Sequence, residues 1–388
     1  MKRTWVEINL SALRYNLRQI RKKLANKANP VRSPRHRQGI RQRQITSNGV
    51  KILAVIKDNA YGHGLLKVSQ TLVKERIDYL GISDLHEARE LRKAGIKTPI
   101  LNLGVISCKE EAEEIVRYEV AQTVCSRRIA DLLSKQAARR DKKVKVHLKI
   151  DTGMGRLGVF PEEGIRLAKY ISRRKNLQLE GVFTHFPDAE DRRFTLSQIR
   201  RFKAFLRGLT REGINFIYQH SANSTAFLNS PETWLNLIRP GLILYGIYPN
   251  LYLSKKLKLK PVLSWRTKVV YIKDIPKGWS VSYGRTWIAS KRERIAVLAI
   301  GYGEGYFHSL SNKARVLIRG NSFPIVGNVC MDQTMVRVNG DVKIGDEVIL
   351  IGQQGDKQIK VEELAKLSKT IPYEIVCRLS HLAHIYKG

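Results

Sequence analysis

Short apolar runs and amphipathic stretches alternate along the first two thirds of the chain. Eight runs have the β-branched content and the length of buried parallel strands: Ile52–Ile56, Tyr79–Ile82, Ile100–Leu103, Ala121–Val124, Val144–Ile150, Leu177–Phe183, Ile214–Tyr218 and Leu235–Ile238. Most are separated by helical patterns, such as Leu85–Ala94 closed by Gly95. Eight strand–helix units with right-handed crossovers predict an α/β fold with a TIM-like (β/α)8 barrel, to which an open doubly wound sheet is the alternative.

The segment before the barrel has its own pattern. Trp5–Leu10 alternates as a strand, and we expect Ser11 to cap a helix that places Leu13 and Leu17 on its apolar face.

The character of the chain changes after Tyr245-Gly246. Five short β runs with intervening turns follow: Ser264–Tyr271, Arg294–Ile300, Ala314–Ile318, Phe323–Val329 and Glu347–Ile351. Only Val361–Thr370 has a good helical pattern in this part. We therefore predict two domains, a barrel at residues 1–255 and a mainly β domain at residues 256–388.

Composition is that of a globular protein of the cell interior. The 388 residues are 43% hydrophobic, which suffices for a large core. Four widely separated cysteines without a CxxC pair argue against both a disulfide framework and a metal site. The N-terminus lacks an apolar signal region and no run is long enough to span a bilayer, so we expect a cytoplasmic protein without membrane contact.

The charge balance is unusual, with 70 Lys and Arg against 34 Asp and Glu and a net charge of +36. Such an excess favours polyanionic partners, including nucleic acid at low salt. Part of it lies in Asn29–Asn48, a basic and polar stretch that we interpret as an insertion or flexible loop. The rest is spread over helices such as Arg192–Arg211 without interleaved aromatic residues, so specific nucleic-acid binding is the weaker hypothesis.

One lysine stands at the end of the first barrel strand. The apolar run Ile52–Ile56 leads directly to Lys57, and the turn-forming DNAYGHG follows. Partial desolvation at such a junction leaves an amine free to attack a carbonyl, which makes Lys57 a Schiff-base candidate.

Other polar clusters also follow predicted strands. Asp151–Arg156 follows the fifth strand, Thr184-His185 the sixth, Ser221–Ser224 the seventh and Arg239–Gly241 the eighth. Because barrel enzymes place their chemistry at the C-terminal ends of the strands, these clusters predict one shared site with Lys57.

Gly153–Gly158 offers a competing interpretation, because it satisfies the dinucleotide pattern G-x-G-x-x-G. Glu180 lies near the distance expected of a ribose-binding acid. The bulk of Arg156 and Leu157, and four preceding strand–helix units, weigh against this dehydrogenase hypothesis.

Several motifs in order resemble the alanine racemases, and the resemblance covers nearly the whole chain. They are AVIKDNAYGHG, HLKIDTGMGRLGVF, GVFTHF, HSANSTA, RPGLILYG, VSYGRTW and NVCMDQ, between TWVEINLSALRYNL and TIPYEIVCRLS. The resemblance implies a racemase of L- and D-alanine that depends on pyridoxal 5′-phosphate (PLP) and supplies D-alanine for peptidoglycan. A serine or broad-specificity racemase and a non-catalytic PLP carrier are the alternatives.

The resemblance also assigns roles to residues. Lys57 and Tyr283 would be the two catalytic bases on opposite faces of the substrate, with Tyr283 and Met331 reaching in from the second subunit of a homodimer. The residues implied in cofactor binding are Lys57, Tyr61, His185, Asn223, Ser224, Arg239, Gly241, Leu242 and Tyr373. Arg239 would face the pyridine nitrogen, and because an arginine keeps its proton, that nitrogen would accept carbanion charge poorly.

Substrate contacts are implied for Arg156 and Met331, supported by Lys149, Tyr302 and Asp332. The resemblance implies that Lys149, carbamylated in some relatives, orients Arg156. The chain departs from the family where GYADG is common, since it has GYGEG at Gly301–Gly305. The acidic residue expected after His185 is either Glu190 or Asp191. Both points concern the substrate channel and leave side-chain specificity open.

Overall fold

The computed structural model describes residues 3–28 and 49–388. The basic segment Asn29–Asn48 lies outside the described residues. Within the described ranges, no helix has the length and apolar character needed to cross a bilayer.

The described chain begins with strand β1 (Trp5–Asn9) and helix α1 (Leu10–Ala28). The cap of α1 is not the predicted one, because Asn9 Oδ1 accepts the amide of Ala12 at 2.9 Å and Ser11 lies inside the helix. The helix starts two residues earlier than expected, which moves the capping position from Ser11 to Asn9.

Eight parallel strands close into the predicted barrel, which excludes the open doubly wound sheet. They are β2 (Lys51–Val55), β3 (Tyr79–Ile82), β4 (Ile100–Asn102), β5 (Ala121–Val124), β6 (Val144–Lys149), β7 (Leu177–Phe183), β8 (Tyr218–His220) and β9 (Leu237–Ile238). Closure is completed where Lys51 of β2 pairs with Leu237 of β9.

The seventh barrel strand lies later than the sequence predicted. Ile214–Tyr218 was expected, but the strand is Tyr218–His220 and Ile217 is 56% exposed. The apolar run covers the outside of the barrel after its helix, whereas the inward position belongs to the buried His220.

The barrel helices lie outside the strands. The element α2 (Lys57–Gly62) is a left-handed turn at the end of β2, and the helices are α3 (Leu65–Lys74), α4 (Leu85–Lys93), α5 (Lys109–Arg117), α6 (Arg127–Arg139), α7 (Pro161–Ser172), α8 (Arg192–Arg211) and α9 (Ser224–Asn229). Their apolar faces cover the barrel, as in α3, which buries Leu65, Val68 and Leu72.

The second part of the chain is mainly β, as predicted. Its elements are β10 (Leu263–Ile275), β11 (Ser280–Val281), β12 (Trp287–Ile288), β13 (Glu293–Leu298), β14 (Arg315–Ile318), β15 (Asn321–Pro324), β16 (Thr334–Val338), β17 (Glu347–Gln354), β18 (Lys357–Ile359), α10 (Val361–Leu367), α11 (Pro372–Cys377) and β19 (Ala383–Lys387). The predicted runs and helix do not include β11, β12, β16, β18, α11 and β19.

Strand β10 is the centre of this sheet, and it pairs with β13, β17 and β1. Strand β1 also pairs in parallel with β19 at the end of the chain. The N-terminal strand therefore lies in the sheet of the second domain although it precedes the barrel in sequence. This arrangement joins both ends of the described chain to one sheet.

Candidate active site

The C-terminal ends of the barrel strands bring the predicted polar clusters to one face. Lys57 follows β2, His185 follows β7, Ser224 follows β8 and Arg239 follows β9. The Lys57 side chain is 38% exposed, and its Nζ atom lies 3.2 Å from Asp58 Oδ2. Lys57 therefore stands at the open end of the barrel with its amine accessible.

The backbone after Lys57 forms a left-handed turn of four non-glycine residues. Asp58, Asn59, Ala60 and Tyr61 have φ angles between 53° and 55°. Such residues cost about 1–2 kcal/mol each, so surrounding contacts must hold them.

Contacts on both sides of the turn supply this support. The amide of Asn59 donates to Glu87 Oε1 at 3.1 Å, and Asn59 Oδ1 accepts the amide of Leu65 at 2.7 Å. A Cβ at Gly62 would lie 2.0 Å from the carbonyl oxygen of Val376 in α11. The second domain thus packs directly on the turn that carries the lysine.

Tyr61, Ser224, Gly241 and Tyr373 form a small polar cradle beside this turn. The rings of Tyr61 and Tyr373 lie 5.8 Å apart, and the amide of Gly241 donates to Ser224 Oγ at 2.9 Å. A Cβ at position 241 would lie 2.7 Å from the Tyr61 hydroxyl, so any larger residue there would displace the Tyr61 ring.

Burial keeps the tyrosine hydroxyls of the cradle protonated. Burial and then Cys377 raise the pKa of Tyr373 to about 12, and burial raises the pKa of Tyr61 as well. Protonated hydroxyls can donate to an anion, so the cradle suits a phosphate group.

Two other residues assigned to cofactor binding lie at the edge of the cradle. Leu242 opens a buried 3-10 turn after Gly241. The side chain of Asn223 accepts the amide of Ala226 at 2.9 Å and caps α9, which is the role the structure shows for it.

Arg239 is a buried cation with four hydrogen-bond partners. Its Nη2 atom donates to the carbonyls of Thr184 at 2.8 Å and Ser221 at 3.0 Å, and lies 3.2 Å from His185 Nδ1. Its Nη1 atom lies 3.0 Å from His220 Nδ1. Burial lowers the pKa of Arg239 to about 9, so the guanidinium is still charged at neutral pH.

The two histidines beside Arg239 are neutral at pH 7. Burial, followed by the positive charge of Arg239, lowers the pKa of His185 and of His220 well below the usual value. Because arginine only donates, both Nδ1 atoms must act as acceptors.

This tautomer fixes the direction of a longer buried chain of hydrogen bonds. His220 Nε2 must carry its proton and donate to His147 Nδ1 at 2.9 Å, and His147 Nε2 then donates to Glu180 Oε2 at 3.2 Å. Glu180 also accepts from the Tyr79 hydroxyl at 2.7 Å and pairs with Lys145 at 2.7 Å. The chain crosses the barrel interior from Arg239 to the N-terminal end of the strands.

Lys149 is a buried amine among cations. It lies in β6 with its Nζ atom 5.2 Å from the centre of the Phe183 ring, and within the described ranges it has no hydrogen bond or salt bridge. Burial, then the charges of Arg156 and Arg239, lower the pKa of Lys149 to about 8. A substantial fraction of this amine is therefore neutral near physiological pH.

The glycine-rich loop after β6 is not a dinucleotide site. Asp151 Oδ1 accepts the amides of Gly153 and Met154, and Oδ2 accepts the amide of Gly155, each at 2.8 Å. The amides that would bind a pyrophosphate are therefore already used. Glu180 lies at the other end of the barrel, bonded to Tyr79, so it cannot meet a ribose at this loop.

The second-domain residues of the predicted site lie together on the surface. Tyr283 is 75% exposed, and Tyr302, Met331 and Asp332 are exposed too. Backbone bonds from Tyr302 to Cys330 and from Gly303 to Met331 join their loops. Within residues 3–28 and 49–388, none of these four side chains is hydrogen-bonded or ion-paired to Lys57 or Arg239 of the same chain.

Comparison with known proteins decides the family. A profile of the alanine racemase N-terminal domain matches residues 35–249, and one of the alanine racemase C-terminal domain matches residues 262–386. The chain belongs to the alanine racemase family.

Curated and solved alanine racemases agree with this. The alanine racemase of Halothermothrix orenii is 39% identical over 97% of this chain and 94% of its own length. That of Methanococcus maripaludis is 38% identical over 97% of this chain and 96% of its own. These relatives show that the chain is an alanine racemase-type enzyme.

Solved structures show the same fold. The alanine racemase of Clostridium difficile 630 has a TM-score of 0.88 at 35% identity, covering 100% of this chain and 96% of that one. The alanine racemase of Bacillus anthracis with bound L-Ala-P has a TM-score of 0.87 at 34% identity, with coverages of 100% and 96%.

In this alanine racemase family member, the motif analysis did not single out His220 and His147, and it placed Glu180 only in the dinucleotide alternative. A signal was present in β6, where Lys145, His147 and Lys149 alternate with apolar residues and share one side of the strand. Three polar residues on one side of a barrel strand indicate a buried polar chain. The two candidates for the acidic residue after His185 have different contacts. Glu190 accepts a hydrogen bond from the Asn250 side chain, whereas Asp191 caps α8.

Glu180 should contribute stability that disappears in acid. Burial alone would raise its pKa, but hydrogen bonds from His147, Lys145 and Tyr79 outweigh burial and hold the pKa at about 2 instead of 4.5. The stability that the Glu180 carboxylate contributes is therefore fully present above pH 4.5, its pKa in the unfolded chain, and it is lost as the pH falls through its folded pKa of about 2. We expect Glu180→Gln to lower the free energy of unfolding by about 2 kcal/mol at pH 7, with the difference narrowing below pH 4.5.

The free energy of unfolding is measured by urea titration followed by circular dichroism. The measurement is repeated from pH 7 down to the lowest pH at which the native chain folds. The matched control is Glu212→Gln, which removes an exposed ion pair with Lys169 and should cost less than about 0.5 kcal/mol. Equal losses in the two variants, or a Glu180→Gln deficit that stays constant with pH, would contradict the assignment.

Proposed function

We propose that this enzyme binds PLP at Lys57 and interconverts L-alanine and D-alanine, with Lys57 and the Tyr283 of a second subunit as opposing bases. The observation that carries the proposal is that an accessible lysine, the polar cradle beside Gly241 and a buried arginine all lie at one end of the barrel. Each part matches one part of the cofactor.

The donor groups of the site fit PLP. Tyr61, Ser224, Tyr373 and the backbone at Gly241 and Leu242 would hold the phosphate, because the protonated hydroxyls of this cradle can donate to an anion and the bond from the Gly241 amide to Ser224 Oγ holds the two loops together. Arg239, supported by His185 and His220, would face the pyridine nitrogen. The amine of Lys57 would bond to the aldehyde carbon.

When bound, PLP makes the α-proton of an attached amino acid acidic. The protein groups then act on that proton. The amine of Lys57 would remove or return it on one face, and Asp58 lies close enough to Lys57 Nζ to orient it. Arg239 keeps its own proton, so it offers the ring nitrogen a hydrogen bond and no proton, which limits side reactions such as transamination.

The second base would come from another chain. Tyr283 is exposed and is fixed by the bond from Asn328 Nδ2 to its carbonyl at 3.0 Å. A homodimer that places Tyr283 and Met331 opposite Lys57 would complete the site. The carrier hypothesis gives these exposed second-domain residues no role.

Substrate recognition would rest on Arg156 for the carboxylate, with the Met331 amide from the partner subunit. Tyr302 would narrow the entrance, and Asp332 lies beside it in the joined loops, with its Oδ1 near Gly303. Glu304 stabilises the GYGEG segment at Gly301–Gly305, because its Oε2 atom accepts a hydrogen bond from the Gly301 amide at 2.9 Å. Because this segment belongs to the substrate channel and a serine racemase is the alternative, serine is the substrate to compare with alanine.

The chemistry is tested by incubating the purified holoenzyme with L-alanine and L-serine separately, followed by chiral chromatography. We expect D-alanine to form until the two enantiomers are equal, and Lys57→Ala to abolish it. Borohydride reduction should leave the cofactor mass on the peptide containing Lys57. Rescue of bacteria unable to make D-alanine would support the proposed cytoplasmic role in peptidoglycan supply. NADH binding without the reduced cofactor on Lys57 would refute the proposal.

Mixed dimers test whether Tyr283 acts across an interface. Lys57→Ala and Tyr283→Phe should each lower activity by at least about 100-fold, because each removes one base. When the two are refolded together in equal amounts, random dimers contain one intact site in every four, so about a quarter of native activity should return.

A mixture of Lys57→Ala with Lys57→Ala/Tyr283→Phe is the matched control, because it contains no native Lys57 and must stay inactive. Absence of recovery in the first mixture, with dimers present by light scattering, would place Tyr283 in the same chain as its Lys57 or outside the chemistry.

Lys149 is proposed to carry a carbamate. Its neutral fraction can add CO₂ with loss of a proton, and the resulting negative charge would lie near Arg156 and Arg239, the cations that lower its pKa. We expect a ¹³C NMR carbamate signal after incubation with labelled bicarbonate, and its loss in Lys149→Gln. An unchanged signal in Lys149→Gln, or no signal in the native enzyme, would contradict this proposal.

A further inference from the structure

A cleft lies at the N-terminal end of the barrel, opposite the end that carries Lys57. Its volume is about 710 Å³, and the first residues of four neighbouring strands line it: Tyr79, Ile100, Ala121 and Val144. No step of the proposed racemisation uses this cleft.

The charge of the cleft is strongly biased. Five cationic side chains line it, Arg92, Lys97, Lys142, Lys143 and Lys145, against the carboxylates of Glu119 and Asp141. Lys142 pairs with Glu119 and Lys145 pairs with Glu180, both at 2.7 Å. In the described part of the chain, Lys97 and Lys143 have neither an ion pair nor a side-chain hydrogen bond.

Arg92 makes one wall of the cleft rigid. Its Nη1 atom donates to the carbonyls of Ile96 at 2.6 Å and Thr98 at 2.9 Å, and its Nε atom donates to the carbonyl of Tyr118 at 2.9 Å. The guanidinium thereby joins the loops before β4 and β5. Among the described residues no carboxylate lies within salt-bridge distance of it, so its positive charge is not compensated by direct contact.

The floor of the cleft is apolar. Pro99 lines it and is exposed, and Ile100, Ile115, Val116 and Val120 line it too, although each has at most 2% of its surface open to solvent. A hydrated ion gains nothing from the exposed surface of Pro99, whereas an organic body can bury apolar surface against it. The cationic groups surround this floor, so an occupant would carry its charges at the rim.

We propose that this cleft binds a small organic anion with an apolar body and at least two negative charges, held by Lys97 and Lys143 beside Arg92. Among the described residues neither lysine has an ion pair, although Asp141 also lines the cleft, and the volume exceeds what one inorganic ion fills. The site goes beyond the proposed racemase function and is independent of PLP.

The test uses the holoenzyme and isothermal titration calorimetry at low salt, with phenyl phosphate as the probe and inorganic phosphate as the charge-only comparison. We expect phenyl phosphate to bind more tightly than inorganic phosphate. Lys97→Gln/Lys143→Gln should weaken phenyl phosphate binding at least tenfold.

The matched control is Lys273→Gln/Lys366→Gln, which removes two exposed lysines of the second domain and the same net charge. It should bind phenyl phosphate as the native enzyme does. Equal weakening in both double variants, no detectable binding to native enzyme, or equal affinity for the two phosphates would overturn the proposal. Circular dichroism and racemase activity of both variants verify that folding and the other end of the barrel are intact.

Discussion

The buried charge of Arg239 is the constraint on which the site depends. A guanidinium away from water is costly unless its donors are satisfied, and here carbonyls of Thr184 and Ser221 and two neutral imidazoles satisfy them. These partners come from the ends of β7 and β8, while Arg239 itself follows β9. One cation thus joins three strand ends and determines which ring nitrogen of His185 and of His220 accepts a hydrogen bond.

The same constraint extends through the barrel interior. Since Arg239 must donate, His220 donates to His147, and His147 donates to Glu180, where a negative charge ends the chain. A cation at one end and a carboxylate at the other favour this single arrangement of protons. The interior of the barrel is therefore an ordered polar path, and its lower end meets Tyr79 and Lys145 in the wall of the cationic cleft.

The second domain acts on the barrel site in two distinct ways. Within the chain, α11 packs against the left-handed turn after Lys57 and brings Tyr373 to Tyr61. Tyr283 and Met331, in contrast, are presented outward on the surface. Helix α11 thus completes the barrel site of its own chain, and in the proposed homodimer Tyr283 and Met331 would complete the site of the partner.

The sequence by itself determined the closed barrel, the mainly β second domain and the residues at the strand ends, because hydrophobic periodicity and strand-end position are local properties. It misplaced β8 and the cap of α1, since an apolar run can cover the outside of a barrel as well as form a strand. Only the tertiary structure decided the pairing of β1 with β10 and β19, the path from Arg239 to Glu180 and the role of Asp151. These depend on contacts between residues far apart in the chain, for which short-range pattern carries no signal.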